Sequence, residues 1–273
     1  MTDPGIIDAQ VHIWDWNSLQ NRDPVASRED LQRSFLPNDF SDCLADCDVE
    51  QGLMVEAEKS SYSLSIWWLE VTEYCPFLKN TVLGCDLEAD NLGIWLEAFT
   101  QWQGFRGMRA APDLTASWKE HPGLNRSLGL LSQYGLTVDL ELEAHHLAHL
   151  AELAQHYGNI RFVLNHAAGA PGPGGDFADW VKQVATLKEA GNVWVKTTDR
   201  SLGGSADRRS AVLGSLLDTL GPDRIIWGSG WPLLRPEVSY REALEDVKTL
   251  TGELSAEHRN AIFGQNLARA YRI

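Results

Sequence analysis

Near the start of the chain three polar side chains alternate through an otherwise apolar run, Ile6-Ile7-Asp8-Ala9-Gln10-Val11-His12-Ile13-Trp14. Alternate residues of a strand share a face, so Asp8, Gln10 and His12 point the same way. A polar row of this kind suits a strand whose inner face meets a site. Further along, reactive side chains recur near the ends of apolar runs: Glu56, Arg109, Asp139 and Glu141, His166, Lys196 and Asp199, and Ser229. Histidines can pass protons near neutral pH, and an arginine can hold a carboxylate or polarise a carbonyl. Asp139 and Glu141 are two apart, which puts them on one strand face. A like-charged neighbour raises one carboxylate's pKa, so such a pair can share a proton and do acid–base work.

His12, Asp139, Glu141 and His166 are therefore the catalytic candidates, and Gln10, Glu56, Arg109 and Lys196 the substrate-binding ones. The competing reading makes Asp139 and Glu141 a charged pair neutralised by Arg109 or Lys196 inside the fold. Tryptophan is abundant, with 11 in the chain. Trp14, Trp16 and Trp231 flank the candidate residues and could stack on a ring or a sugar face. Trp67, Trp68, Trp95, Trp102 and Trp180 fall in helical segments and read as packing.

The elements that must position these residues follow from periodicity and turn signals. Strands are predicted over 6–14, 51–56, 81–87, 104–109, 136–143, 160–166, 192–198 and 224–230. Helices are predicted over 40–47, 63–74, 92–102, 124–133, 145–157, 177–190 and 208–220, with three helical pieces closing the chain. Asp39 is a candidate N-cap for the first helix. Strict alternation over 136–143 places three carboxylates on one face, and the polar stretch 16–37 is a long loop that could form a lid. Strand and helix alternate eight times with no linker between them, the arithmetic of one (β/α)8 TIM barrel spanning residues 1–273. Such barrels build their sites at the C-terminal ends of the strands, where the candidates lie. An open doubly wound sheet would call for a glycine-rich phosphate turn after the first strand, and His12-Ile13-Trp14-Asp15 stands there instead.

At 44% hydrophobic and 22% charged residues, the composition is that of a soluble globular protein. A net charge of −15 argues against nucleic acid or an anionic membrane surface as partner, since both require a basic face. The expected partner is a small-molecule substrate, and self-association is left open. No apolar run reaches the ~18 residues of a membrane span, and no basic-then-apolar leader precedes the first strand. Cys43, Cys47, Cys75 and Cys85 lack metal-binding spacing and read as free thiols in a reducing cytoplasm.

Several blocks carry a family resemblance. These are the stretch from Ile7 to Asp15, Gly104-Phe105-Arg106-Gly107-Met108-Arg109, Phe162-Val163-Leu164-Asn165-His166, Asn192-Val193-Trp194-Val195-Lys196, and Arg224-Ile225-Ile226-Trp227-Gly228-Ser229-Gly230-Trp231-Pro232. In order and spacing, across nearly the whole chain, they resemble the amidohydrolase superfamily. Within it they are similar to the branch of sugar-acid lactonases and 2-pyrone-4,6-dicarboxylate lactonase. The resemblance implies a TIM barrel that opens a small lactone.

Three positions depart from that pattern. The family's opening Asp-x-His-x-His supplies two histidine ligands to a divalent metal, and Gln10 replaces the first. Its Gly-Ser-Asp-Trp-Pro block carries the aspartate that takes a proton from the attacking water, and Gly230 replaces it. Its sixth-strand Asp-His reads Asn165-His166 here. A neutral amide is a poor zinc donor, so no metal or other cofactor is expected, although His12, His166 and Glu141 remain as donors for one. The base must then be Glu141, Asp139 or Asp199, with Arg109, His12 and His166 polarising the carbonyl and holding an acidic substrate. The expected activity is metal-free hydrolysis of a sugar-derived or aromatic-pathway lactone. Isomerisation or elimination on the same scaffold, or ligand binding without catalysis, are the alternatives that Gln10 and Gly230 raise.

Overall fold

Short Val-, Ile- and Leu-rich runs separated by amphipathic helices cannot bury both faces except as a parallel sheet wrapped by those helices. A computed structural model describes residues 5–17, 28–57, 61–114 and 118–273 and has this architecture. The strands are β1 (Ile6–Val11), β2 (Val49–Val55), β3 (Asn80–Gly84), β4 (Phe105–Ala110), β5 (Thr137–Leu140), β6 (Arg161–Leu164), β7 (Val193–Thr197) and β8 (Ile225–Trp227). All neighbours pair in parallel, in sequence order from β1 to β8. The helices that follow the strands are α1 (Pro37–Leu44), α2 (Tyr62–Glu73), α3 (Leu92–Phe99), α4 (Pro122–Tyr134), α5 (Leu147–His156), α6 (Phe177–Ala185), α7 (Ala206–Leu220) and α8 (Tyr240–Leu250).

Closure runs through the first and last strands. Val11 bridges Trp231 in parallel, the Gly230 amide donates to the Gln10 carbonyl at 2.9 Å, and the His12 amide donates to the Trp231 carbonyl at 2.7 Å. Asp8 locks this seam, accepting from the Gln10 amide (3.0 Å), the Ser229 amide (2.8 Å) and the Tyr240 hydroxyl (3.1 Å). Complete burial of Asp8 pushes its pKa up to about 6 despite these bonds. The sheet forms a nearly closed (β/α)8 barrel.

Inside the barrel, Ala9, Leu53, Val55, Val82, Val163 and Ile226 pack with Leu267, Ala270 and Tyr271 of the last helix, α9 (Asn266–Tyr271). Thr137, the first residue of β5, donates to the Ala270 carbonyl at 2.7 Å, so α9 closes the end of the barrel where the strands begin. Among the described residues no helix is long and apolar enough to cross a membrane.

Three local expectations are corrected. β5 stops at Leu140, so the expected three-carboxylate face does not form, and the Glu143 side chain is 84% exposed beyond it. The chain must leave the strand direction there to begin the mouth loop. The first helix starts at Pro37, with Leu36 at the N-cap; Asp39 lies inside it and its carboxylate accepts from the Leu36 amide at 2.9 Å. Of the adjacent pair on α2, Trp68 is buried and Trp67 is 38% exposed, because neighbours on a helix point about 100° apart. The expected lid falls largely on residues 18–27, which lie outside the described residues.

Candidate active site at the barrel mouth

His12 immediately follows β1 and is buried. Its Nδ1–H donates to the carbonyl of Val55, the last residue of β2, at 2.7 Å, and this bond fixes the tautomer. The unprotonated Nε2 sits 3.4 Å from the Gln10 amide nitrogen, which donates to it. Burial and the nearby Arg109 charge push the His12 pKa down to about 3, leaving the ring neutral. Gln10 is itself fully buried below His12, and its Oε1 has no hydrogen-bond partner among the described residues.

Arg109 reaches the mouth from β4. Its Nη1 donates to the carbonyls of Glu56 (2.6 Å) and Ala57 (3.0 Å), and its Nη2 pairs with Glu141 Oε1. Glu141, immediately after β5, also accepts from His166 Nε2–H at 2.9 Å. Burial alone would raise the Glu141 pKa, but the His166 bond and the Arg109 charge outweigh it and hold it at about 2. Glu141 is therefore an ionised anchor for two cationic or polar partners.

His166 opens a left-handed turn. Its φ is 54°, and Ala167, Ala168 and Gly169 follow at 52°, 54° and 69°. Left-handed backbone costs L-residues about 1–2 kcal/mol each, and such strain concentrates at functional sites. The turn aims Nε2 at Glu141 and leaves Nδ1 3.4 Å from the Thr198 hydroxyl. Thr198 caps a single helical turn, Asp199–Leu202, with its Oγ1 accepting from the Ser201 amide. These groups line a cavity of about 400 Å³ that contains His12, Arg109, Glu141, His166, Thr198 and Gly230. Gly230 has φ +75°, and a Cβ there would meet only the Thr198 side chain, at 3.4 Å.

Ser229 also lines this cavity, whereas Asp139, Lys196, Glu56 and Asp199 lie away from it. Asp139 does not share a proton with Glu141: its carboxylate accepts from Lys196 Nζ and from the Tyr271 hydroxyl, each at 2.6 Å, with both members of the ion pair fully buried. Asp139 and Lys196 therefore tie the barrel interior to α9. Glu56 turns outward between β2, β3 and α2, where its carboxylate accepts from the Gly84 amide (2.7 Å) and the Ser65 hydroxyl (3.2 Å). Asp199 is clamped by Arg235 through both its amide and its guanidinium, at 2.8 Å each.

Trp14 and Trp231 are 2% and 6% exposed and pack against Phe35, with ring centroids 4.9 and 5.5 Å away. Their faces hold the first loop in place, and neither is free to stack on a substrate. The sequence reading missed Thr198, Arg200 and Ser201. The signal was present: Thr198-Asp199-Arg200-Ser201 has the spacing of an N-cap beside a strand end.

The model of the amidohydrolase family matches residues 7–273. The chain belongs to the amidohydrolase family. It is a hydrolase of that family, similar along nearly its whole length to a lactonase. An L-fucono-1,5-lactonase of Burkholderia ambifaria is 26% identical over 277 residues, covering 98% of this chain and 95% of that protein. A Burkholderia multivorans amidohydrolase, solved with bound zinc, superposes with a TM-score of 0.85 at 22% identity, covering 98% of this chain and 99% of the other. A probable 2-pyrone-4,6-dicarboxylic acid hydrolase of Acinetobacter baumannii, solved with citric acid bound, gives 0.78 at 18% identity, with coverages of 98% and 99%.

Because a structure of the same fold carries zinc, the donors at this amidohydrolase's mouth bear on whether it fits one. Among the described residues no group of three or more His, Cys, Asp or Glu side chains is placed to hold an ion. His12 Nε2 faces the Gln10 amide N–H, and position 230 has no side chain. Glu141 is engaged by Arg109, whose positive charge opposes a second cation beside it. The donor set does not fit a zinc site.

Proposed function

We propose that this amidohydrolase opens a small sugar-derived or aromatic-pathway lactone without a metal, using His166 as the group that takes the proton from water. The observation that carries the reading is the chain of bonds Glu141–His166 ending in a ring nitrogen that faces the cavity. Glu141 accepts Nε2–H, so the Nδ1 lone pair is directed toward the Thr198 hydroxyl and the cavity. A carboxylate held at about 2 is a weak proton acceptor. The same carboxylate is well suited to orienting an imidazole and stabilising it once protonated, as in a hydroxyl–histidine–carboxylate triad.

In this mechanism water bound at Nδ1 attacks the lactone carbonyl as His166 takes its proton. Among the described residues Arg109 uses three of its five N–H donors, and it lines the cavity, where the other two would serve the developing oxyanion. Collapse breaks the ring C–O bond, and His166 returns the proton to the departing ring oxygen, giving a hydroxy acid. A lactone carbonyl needs less activation than an amide, which is consistent with a site lacking a zinc donor set. The lactonase and the pyrone-dicarboxylic acid hydrolase among the relatives support a lactone as the substrate class.

The test is a pH-indicator hydrolysis assay over a panel of sugar and aromatic lactones in excess chelator. Turnover in chelator is the expected result. If no lactone is hydrolysed, and added zinc or manganese restores nothing, the hydrolytic reading is wrong.

A further inference from the structure

Beside the active-site cavity lies a second one of about 440 Å³ that shares His166, Arg200 and Ser201 with it. Four arginines line this side cavity: Arg28, Arg200, Arg208 and Arg235. We propose that it is a subsite for an anionic oxygen group, carboxylate or phosphate, carried by the substrate on an arm away from the lactone ring. This deepens the lactonase reading and rests on it: the substrate is an acidic lactone.

The argument turns on which guanidiniums are already neutralised. Arg235 is paired with Asp199 (2.8 Å) and Asp246 (3.0 Å), and Arg28 with Asp30. Arg208 is held by carbonyl oxygens of Leu202, Gly203 and Pro171, which fix its orientation but bring no negative charge. The Arg200 side chain is exposed and has neither a hydrogen bond nor an ion pair among the described residues. Two guanidiniums without a carboxylate partner among the described residues thus face one cavity, in a chain whose net charge is −15.

Position makes the subsite part of the active site. Arg200 sits on the helical turn Asp199–Leu202, capped by Thr198, whose hydroxyl faces His166 Nδ1. Asp199, one residue before it, is clamped to Arg235 on the loop after β8, so the base of the Arg200 side chain is anchored. Room for an arm comes from the loops after β6 and β7: a Cβ at Gly172 would meet nothing within 4 Å. A guanidinium presents a planar fork that matches carboxylate or phosphate oxygens and offers less to a neutral hydroxymethyl group.

Three ring-opened acids that differ only at C6 separate the cases: D-gluconate (hydroxymethyl), D-glucarate (carboxylate) and 6-phospho-D-gluconate (phosphate ester). Their binding to the intact enzyme is measured by titration calorimetry, for wild type, Arg200→Ala and Arg200→Lys. D-glucarate, 6-phospho-D-gluconate or both should bind roughly tenfold or more tighter than D-gluconate, the scale of one charge-assisted hydrogen bond. The advantage should disappear in Arg200→Ala, return in part in Arg200→Lys, and shrink as salt is added. Preference for the carboxylate or for the phosphate names the arm. Equal affinities for all three, no binding by any, or an advantage that survives Arg200→Ala overturns the subsite. In parallel, D-glucaro-1,4-lactone and D-glucono-1,4-lactone are compared as substrates, and the acidic-to-neutral ratio of kcat/KM should fall in Arg200→Ala. Lactone turnover with the binding preference lost overturns the subsite alone; the preference intact while the whole lactone panel fails, with or without added metal, sinks the hydrolase reading and leaves the subsite standing.

Discussion

Two partners converge on one carboxylate at Glu141, and their electrostatics decide what it can do. With its pKa pulled to about 2 by His166 and Arg109 against the effect of burial, Glu141 stays ionised across the whole working range. It can orient His166 but has little affinity for a proton of its own. Replacing His166 by Ala should therefore lower kcat by about 10²–10⁴-fold, the usual contribution of a positioned acid–base group. Glu141→Gln should also lose most turnover, because an amide cannot hold the imidazolium as a carboxylate does, while thermal melting shows both variants folded. The pH profile of kcat/KM distinguishes the roles. An acidic limb below about pH 3, following the depressed pKa of Glu141, would make Glu141 the base; a profile without that limb contradicts Glu141 in that role.

Among the elements, the left-handed turn after β6 does most to shape the site. Its end at Gly169 is forced by contact as well as by conformation: φ is 69°, and a Cβ would lie 2.6 Å from the Leu142 carbonyl. Gly169→Ala should destabilise the fold by about 1–3 kcal/mol, read as a shift in the urea midpoint. It should also weaken turnover by moving His166 relative to Glu141; an unchanged rate would mean the turn does not set the ring's position. This element was not legible in the sequence. The apolar run before Asn165-His166 predicts a strand, but nothing in His166-Ala167-Ala168 signals three left-handed residues in succession. β5 is similar: alternation continues through Glu143 in the sequence, yet the strand ends at Leu140 because the chain turns there to form the mouth.

At the scale of the molecule, buried titratable groups at the β1–β8 seam and the mouth set the response to acid. Asp8, raised to about 6 from 3.8, contributes stability that is full below 3.8 and lost as pH rises through 6. His12, lowered from 6.5 to about 3, contributes stability that is present above 6.5 and lost as pH falls toward 3. The two oppose each other between about pH 6 and 4. Glu141, lowered from 4.5, adds stability that is lost as pH falls toward 2. The denaturant midpoint should thus be nearly flat from about pH 6 to 4.5 and fall steeply below 4. In Asp8→Asn the opposing group is gone, and the decline should begin near 6.5. A flat profile for that variant would contradict the buried neutral state of His12.

By itself the sequence determined the eightfold strand–helix alternation, the barrel, and the set of polar residues near the strand ends. Those features depend on local periodicity and on burial patterns a few residues long. Tertiary structure alone decided which of those residues meet. Glu141 and His166 are 25 residues apart and Lys196 and Asp139 are 57 apart, distances at which no spacing rule operates. Barrel closure turned Asp139 toward Lys196 and Tyr271, sent Glu56 to the outer layer, and used the faces of Trp14 and Trp231 for packing. The same closure brought Glu141, His166, Arg109 and the unforeseen Arg200 to one mouth. A side chain's role here is set by which neighbour neutralises it, and that neighbour comes from another strand.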